Sequence, residues 1–230
     1  MSRYKKNLIH ILDEFKCKNP FAPLHCIPIY DSHMIFQGYL RPVTQDYRVT
    51  IPGCGSLFAK WRNENASMSP DPFVATQEST EKWLDNVVLA REDRILFLII
   101  SADGTKIGHI GFSSLDEKER SMEIDAVIRG EKEICPGIMT VALNTLLRWG
   151  LDRLGLKKIG LRVLSDNMKA IHFYKKNYFY KTGDIPLYQT IGAGREMWTA
   201  QKQKEDQAAE KFYTKMQLDI DKWKKQAPLS

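Results

Sequence analysis

Apolar residues along the chain follow two spacings, one typical of helices and one typical of strands. In residues 3–16 they recur every three or four positions, which predicts a short amphipathic helix. Residues 17–36 are rich in proline, which withholds a backbone donor and disfavours helix at the residue before it. We therefore predict an irregular stretch there and interpret residues 1–36 as an N-terminal helical and irregular arm.

Residues 37–201 carry the pattern of one domain in which helices and strands are mixed. Strands are predicted at residues 39–43, 47–51, 95–101, 106–113, 122–128, 158–164 and 196–201. Helices are predicted at residues 57–63, from Ser79 or Thr80 to Val88, from Gly137 to Leu154, and at residues 167–177.

The last segment, residues 202–230, is charged but keeps apolar residues at helical spacing. These residues are Ala209, Phe212, Tyr213, Met216, Ile220 and Trp223. Because an isolated helix of this length is marginal in water, we predict a C-terminal amphipathic helix that docks on the domain or on a second copy. A homodimer is one arrangement that would bury this face.

Composition and charge narrow the class of protein. Of the 230 residues, 43% are hydrophobic, yet no uninterrupted apolar stretch approaches the ~18 residues of a membrane span. This composition predicts a globular protein that does not insert into membranes. The net charge of +6 is spread over both ends and the middle without a block of Lys or Arg, so it does not indicate a nucleic-acid partner.

Cysteine usage argues against a metal or a disulfide framework. The four cysteines lie 9, 28 and 81 residues apart and form no Cys-x-x-Cys pair. Cys17, His25, Cys26 and His33 crowd one segment, but their spacing matches no common zinc site, so ordinary packing is the favoured interpretation. Reduced thiols and the lack of an apolar leader segment predict a cytoplasmic protein without a metal cofactor.

Four stretches of the domain, in chain order, resemble the GNAT superfamily of N-acetyltransferases. They are residues 107–111 (Ile-Gly-His-Ile-Gly), 122–128, 136–143, and 161–179, which contains the pattern Asn-x-x-Ala-Ile-x-Phe-Tyr-x-Lys-Asn. The resemblance covers residues 39–201. It implies an α/β fold of the α+β type, with a twisted, mixed and mostly antiparallel central sheet flanked by helices. In that fold the fourth and fifth strands splay apart.

The resemblance implies acetyl-CoA as cosubstrate. Backbone groups of Ala126, Val127 and Ile128 would pair with pantetheine and polarise the thioester carbonyl. Asn167 would hydrogen-bond the cosubstrate, although capping its own helix explains this residue as well.

A helix N-terminus offers backbone donors and a favourable dipole to a pyrophosphate. The expected donors are Gly137, Ile138, Met139 and Thr140. The family's phosphate loop is incomplete here, because Ile134 stands where Gln or Arg is usual and Met139 where a small residue is usual. Pro136 also removes one donor.

Tyr174 is the candidate general acid. When an amine attacks the thioester, the leaving thiolate needs a proton, and a phenol beside the sulfur can supply it. A Tyr at this helix position often has that role in the resembled superfamily, whereas the alternative makes Tyr174 a core aromatic. For the proton of the amine we rank Glu123 above His109 above Asp125, which would also face the acceptor. Direct transfer in a ternary complex is expected, since no cysteine suits a nucleophile.

Four segments bear on the acceptor. They are residues 58–63 (Phe-Ala-Lys-Trp-Arg-Asn), 69–73 (Ser-Pro-Asp-Pro-Phe), 81–84 (Glu-Lys-Trp-Leu) and 94–99 (Arg-Ile-Leu-Phe-Leu-Ile). In this order they resemble bacterial sugar-nucleotide N-acetyltransferases, especially those acting on a UDP-linked 4-amino sugar on the way to pseudaminic acid. Arg62 would bind a diphosphate, Asn63 would read a sugar hydroxyl, and Met68 or Phe73 would pack under the sugar or base. Alternatively, Arg62 pairs within its helix and Asn63 simply ends it.

Three functions remain open. The first is acetyl-CoA-dependent N-acetylation of a nucleotide-linked amino sugar for surface polysaccharide biosynthesis. The second is a protein N-terminal or side-chain acetyltransferase. The third is a catalytically silent acyl-CoA-binding scaffold, which the incomplete phosphate loop and the two arms would fit. A cleft lined by Arg62 and deep enough for a nucleotide favours the first, and a shallow, acid-lined groove favours the second.

Overall fold

The structure, a computed structural model, describes residues 1–19, 21, 23–71, 73–192 and 195–226. Within these residues the chain forms seven α-helices and nine β-strands. The helices are Arg3–Phe15 (α1), Tyr47–Thr50 (α2), Cys54–Glu64 (α3), Gln77–Trp83 (α4), Ile138–Asp152 (α5), Met168–Lys176 (α6) and Ile220–Gln226 (α7). The strands are Ile27–Tyr30 (β1), Phe36–Pro42 (β2), Ile95–Ser101 (β3), Lys106–Asp116 (β4), Ser121–Arg129 (β5), Lys158–Leu164 (β6), Phe179–Gly192 (β7), Arg195–Thr199 (β8) and Lys211–Leu218 (β9).

The strands lie side by side in the order β1-β2-β3-β4-β5-β6-β9-β7-β8. Neighbouring strands run antiparallel except for β5 and β6, which are parallel. These two strands pair only from Ser121 with Lys158 to Glu123 with Gly160, and then they separate. The fold class expected from the resemblance, a mixed and mostly antiparallel sheet with a splayed strand pair, is therefore confirmed.

Helices cover both faces of the sheet. The odd-numbered apolar residues of β3 belong to a core layer with α1 and α5, and the even-numbered ones belong to a second layer with α3. Because β3 is buried on both faces, its sequence is an unbroken apolar run rather than an alternating one.

Two local predictions are corrected. Residues 47–51, predicted as a strand, begin with helix α2, because Tyr47 and Ile51 are buried one helical turn apart while Val49 between them is exposed. Helix α4 is capped by Thr76 rather than by Ser79 or Thr80. The Thr76 side chain accepts a hydrogen bond from the Ser79 N–H, and the Ser79 hydroxyl accepts one from the Thr76 N–H.

The N-terminal arm is part of the domain. Helix α1 is present as predicted and packs in the main core, but residues 17–36 are not irregular throughout, because β1 adds to the sheet beside β2. The strand contains Pro28, which a sheet tolerates here because β1 lies at the edge.

The prediction of a continuous helix over residues 202–230 is wrong. The segment contains β9, which inserts between β6 and β7, and only α7 after it is helical. Burial in β9 follows a period of two, with Thr214, Met216 and Leu218 inside and Lys215 exposed between them. The apolar spacing that resembled a helix combined residues of β9 with those of α7. Residues 227–230 of the predicted helix lie outside the described residues.

The strand predicted at residues 196–201 is also reassigned. It corresponds to β8, which pairs with β7 alone and forms the other edge of the sheet. The last strand of the central sheet is β9.

Replacing Met216 by Ala should destabilise the protein by about 2–5 kcal/mol, because the side chain is 2% exposed and its loss leaves a cavity in the core. The neighbouring Lys215→Ala change on the opposite face of β9 should stay within about 0.5 kcal/mol of the parent. Chemical denaturation of both variants measures this. Equal unfolding midpoints for the two would show that β9 is peripheral.

Candidate active site

A cavity of about 610 Å³ lies where β5 and β6 separate. Its walls come from β5, β6, α6, β9 and the loop that follows α3. It brings together ten predicted site residues: Arg62, Met68, Phe73, His109, Glu123, Asp125, Ala126, Val127, Asn167 and Tyr174. Six others do not line it: Asn63, Ile128, Gly137, Ile138, Met139 and Thr140.

A bulge in β5 faces this cavity. Between two paired positions, β5 has two residues, Ala126 and Val127, where β4 has only Ile110. Ala126 adopts φ 50°, in the left-handed region that is uncommon for a residue with a Cβ. The bulge therefore interrupts the ladder next to the opening, and its peptide groups need other partners.

One partner comes from β4. The Nδ1 atom of His109 lies 2.6 Å from the carbonyl oxygen of Ala126, and because a carbonyl only accepts, Nδ1 carries the proton. The other ring nitrogen, Nε2, is buried without a hydrogen-bond partner among the described residues.

The surroundings keep this imidazole neutral. His109 is 1% exposed and packs against Phe58, with ring centroids 4.7 Å apart, and Trp61 and Trp83 lie slightly further away. Burial lowers the pKa of His109 to about 4, and nearby guanidinium charges act in the same direction. A ring with this pKa is a poor base for an ammonium group.

Tyr174 lies on α6 against the opening. Its ring packs edge-on against Phe173 and Phe179, at centroid distances of 5.3 and 5.7 Å. The side chain is 7% exposed but lines the cavity. Burial, and secondarily the charge of Asp125, raise the pKa of the Tyr174 phenol. The hydroxyl thus remains protonated at neutral pH, as a proton donor must.

The two carboxylates of β5 are both paired with arginine. Arg162 of β6 donates to Glu123 through Nε and Nη2, at 2.8 and 2.7 Å. Asp125 forms an ion pair with Arg94, which comes directly before β3 and is largely buried. The residues share one face of β5 as predicted, but each is neutralised by a cation that the sequence analysis did not identify.

Arg62 stands on the opposite wall between aromatic rings. Its guanidinium carbon lies 5.0 Å from the Phe73 ring centroid and 5.1 Å from that of Trp83. Its hydrogen bond goes to the Thr80 hydroxyl at 3.3 Å, and it has no carboxylate partner among the described residues. Burial lowers the pKa of Arg62, so the group is a desolvated cation at a cavity wall.

Asn63 has a different place from the one predicted. Its side-chain amide donates to the carbonyl of Ala75 at 2.9 Å and accepts from the Ala75 N–H at 2.7 Å. It closes the base of the loop between α3 and α4 rather than lining the cavity. Met68 and Phe73 of that loop do line the cavity, and Pro72 lies outside the described residues.

The C-terminal strands hold the tip of the same loop. Asp71 accepts a hydrogen bond from the Trp198 N–H of β8 at 2.6 Å. Lys211 at the start of β9 donates to the carbonyl of Pro70 at 3.0 Å, with its Nζ 4.4 Å from the Trp198 ring centroid. This wall therefore depends on residues far away in sequence.

Asn167 lies at the cavity and caps α6 by accepting from the Ala170 N–H at 3.1 Å. At the start of α5, the N–H groups of Ile138 and Thr140 are used in bonds to Cys135 and Gly137. The Gly137 and Met139 N–H groups have no such bond within the described residues.

Five charged or aromatic residues of the cavity had no role assigned from the sequence: Asp71, Trp83, Arg94, Arg162 and Tyr213. Arg94 had a usable signal, since a charged residue directly before a fully apolar strand lies near the protein interior. Tyr213 was assigned to the wrong kind of element, which hid its contribution from β9.

A sheet split beside a bulge, with exposed peptide groups on one strand and a buried phenol on the next helix, defines a site for transfer of an acyl group from a thioester. Comparisons with known proteins agree. The family described as "Acetyltransferase (GNAT) domain" matches residues 40–179, more than half of the chain. The chain belongs to this family and is an acetyl-CoA-dependent N-acyltransferase.

Several relatives are named for polyamine acetylation. Spermidine N(1)-acetyltransferase of Escherichia coli is 26% identical over 149 residues, which cover 64% of this chain and 74% of the relative. A chimera of spermidine N-acetyltransferase SpeG from Vibrio cholerae and hSSAT has TM-score 0.56 at 19% identity, covering 83% of this chain and 99% of that structure.

A probable acetyltransferase of the GNAT family from Chromobacterium violaceum has TM-score 0.62 at 14% identity, over 86% of this chain and 88% of that structure. At these identities the solved structures support the fold alone.

Two further observations concern membrane-spanning helices and metal-binding groups. Among the described residues, no helix is long and apolar enough to span a membrane. In the same part of the chain, no group of three or more His, Cys, Asp or Glu side chains could hold a metal ion.

The buried imidazole should make stability depend on pH. Its folded pKa of about 4 lies below the ~6.5 of an unfolded histidine, so between those values only the unfolded state gains a proton. The free energy of unfolding should therefore fall as pH drops from 6.5 to 4, by up to about 3 kcal/mol from this residue. Denaturation curves of the parent and His109→Asn across this range measure the difference. Parallel pH dependence in both proteins would contradict the assignment.

Proposed function

We propose that this chain transfers the acetyl group of acetyl-CoA to a primary amine on an acceptor that also carries an anionic group. The specific acceptor proposed is a nucleotide-linked amino sugar used in surface polysaccharide biosynthesis. The observation that carries the proposal is Arg62, a half-buried guanidinium at the cavity wall without a carboxylate partner among the described residues.

A buried cation without a counter-ion is costly, so a protein retains one where a ligand supplies the opposite charge. The guanidinium fork matches the oxygens of a phosphate or diphosphate in two parallel hydrogen bonds. Phe73 and Trp83 hold the Arg62 side chain between their rings, which reduces the entropy lost when it binds. A cavity of about 610 Å³ is within the range of small-molecule sites.

A polyamine is the second candidate, and the names of the relatives favour it. A polyamine bears several ammonium groups, and such a ligand is best bound by unpaired carboxylates. In this cavity Glu123 and Asp125 are already neutralised by arginine, and Asp71 is used in holding the loop. Arg62 has no carboxylate partner among the described residues, so it would repel an ammonium group bound beside it.

Two parts of the domain, the bulge of β5 and the start of α5, offer backbone groups that suit the cosubstrate. The bulge at Ala126 and Val127 offers peptide groups to pantetheine, and Ile128 extends the same strand. The N-terminus of α5 offers the Gly137 and Met139 N–H groups to the pyrophosphate, and a Cβ added at Gly137 would meet nothing within 4 Å. Since Arg129 donates to the carbonyls of Glu131 and Ile134, it orders this loop rather than binding phosphate.

Proton transfers are assigned to two residues. Tyr174 donates its proton to the departing thiolate, for which its protonated state and its position on the cavity wall are suited. Glu123 takes the proton of the amine directly or through water, while Arg162 holds it in place. Asp125, fixed by Arg94, faces the acceptor as a binding group.

The acceptor assignment is tested with acetyl-CoA and a panel of UDP-, GDP- and dTDP-amino sugars, spermidine, and peptides with a free N-terminus. We expect a nucleotide-linked amino sugar to be acetylated most efficiently. Arg62→Gln should raise KM for that acceptor roughly 10- to 100-fold, the value of a charged hydrogen bond, and leave KM for acetyl-CoA unchanged. Lys60→Gln, on the exposed side of the same helix, is the matched control.

Other outcomes of that panel identify the alternatives. Preference for spermidine, with activity that rises in Arg62→Gln, would overturn the proposal in favour of a polyamine. Preference for peptides would indicate a protein acetyltransferase. If the parent acetylates no amine but is stabilised by acetyl-CoA, the chain is a scaffold.

Tyr174→Phe should lower kcat by roughly 10²- to 10⁴-fold with little change in either KM, because it removes only the proton donor. Steady-state release of CoA measures this. The control is Tyr178→Phe, which removes a hydroxyl just beyond the end of α6 and outside the cavity. An active Tyr174→Phe variant would leave the phenol with a packing role alone.

A further inference from the structure

His109 has a short contact that the proton transfers proposed above do not use. Its Nδ1–H donates to the carbonyl oxygen of Ala126 across 2.6 Å, between neighbouring strands β4 and β5. The ring is 1% exposed, so water does not compete for this bond.

The acceptor of this bond belongs to the bulge. The Ala126 carbonyl lies in a stretch where β5 has one residue more than β4, so the regular ladder cannot serve every peptide group. Ala126 also adopts φ 50°, a conformation that persists only when its surroundings enforce it. His109 supplies one such restraint from a side chain.

A trans peptide fixes what this restraint does. The C=O of Ala126 and the N–H of Val127 belong to one planar unit and point in opposite directions. With the carbonyl held toward β4 and the His109 ring, the Val127 N–H must point away from that ring. Both residues line the cavity at the point where β6 has left β5.

We propose that His109 is a positioning residue, which holds the Ala126–Val127 peptide so that the Val127 N–H donates to the thioester carbonyl. This inference rests on the acetyl transfer proposed above. A donor fixed in advance stabilises the oxyanion that develops during attack without needing to reorganise. His109 acts through the backbone and does not touch the reacting atoms.

The geometry separates this role from that of a base. Nδ1 carries a proton and donates it in the hydrogen bond to the carbonyl oxygen of Ala126. Nε2 is fully enclosed, with Phe58, Trp61 and Trp83 around the ring, and has no partner among the described residues. Nδ1 has no free lone pair, and the lone pair of Nε2 is buried, so neither nitrogen is well placed to take a proton from an amine.

Two substitutions test the inference as a matched pair. His109→Asn keeps an N–H donor near the position of Nδ1, whereas His109→Gln moves its donor toward the position of Nε2. We expect kcat of the Asn variant within about threefold of the parent and kcat of the Gln variant lower by roughly 10- to 100-fold. The pH profile of the Asn variant should keep the shape of the parent profile.

A donor-side measurement keeps this test independent of the acceptor. Isothermal titration calorimetry in the absence of the acceptor gives the affinities of the protein for acetyl-CoA and for CoA, which lacks the thioester carbonyl. The Gln variant should bind acetyl-CoA several-fold less well relative to CoA, and the Asn variant should keep the parent ratio. If the acceptor panel fails while this ratio changes as expected, the acceptor is wrong and the positioning role stands.

Three results would overturn the inference. They are equal kcat and equal affinity ratios in the two variants, parallel losses of CoA affinity and kcat, and loss of the acidic limb of the pH profile in His109→Asn, which would mark the imidazole as the base. If a variant does not fold, nitrogen NMR of His109 in the parent protein tests the inference instead. The Nδ1–H tautomer is expected, and an Nε2–H tautomer would refute the hydrogen bond from His109 to Ala126 and with it the inference.

Discussion

The separation of β5 from β6 is the constraint on which the rest of this structure depends. Two parallel strands that stop pairing after Glu123 and Gly160 leave peptide groups without partners in the middle of a sheet, where each would cost free energy if it stayed unsatisfied. The chain meets this cost locally, with a bulge on β5 and an imidazole on the neighbouring strand β4. In the proposed function the remaining donors serve the cosubstrate, so the same gap that weakens the sheet would provide the binding site.

Charged side chains around the gap differ in their partners, because the two β5 carboxylates pair with arginine whereas Arg62 has no carboxylate partner among the described residues. Arg94 and Arg162 neutralise the β5 carboxylates, and the rings of Trp83 and Phe73 flank Arg62 without cancelling its charge. Replacing a buried ion pair with apolar residues often stabilises a protein, so the charges at this cavity wall are weak evidence for a role in folding and fit the binding role proposed above.

Much of the fold could be predicted from local pattern, whereas the site could be predicted only in part. The apolar run of β3, the stripe of α5 and the Asn-to-Asn pattern of α6 each carry a local signal, and all three elements are present. Strand β9 was not predicted because one of its three inward residues, Thr214, is polar, and because the apolar residues at helical spacing belong partly to β9 and partly to α7. The pairing of Arg94 with Asp125 was invisible, since a contact between residues 31 positions apart leaves no trace in either neighbourhood.

The place of β9 in the sheet has a consequence for biosynthesis. Strand β6 cannot be completed by β7, the next strand to leave the ribosome, because β9 must lie between them. The edge of β6 therefore stays unpaired until β9, which ends at Leu218, has been synthesised. The cavity wall that Trp198 and Lys211 hold at Pro70 and Asp71 is also completed only at that stage. Such late, long-range pairing slows folding and exposes strand edges to other chains meanwhile. During synthesis, the pairing of β9 therefore both covers the exposed strand edges and completes the cavity wall.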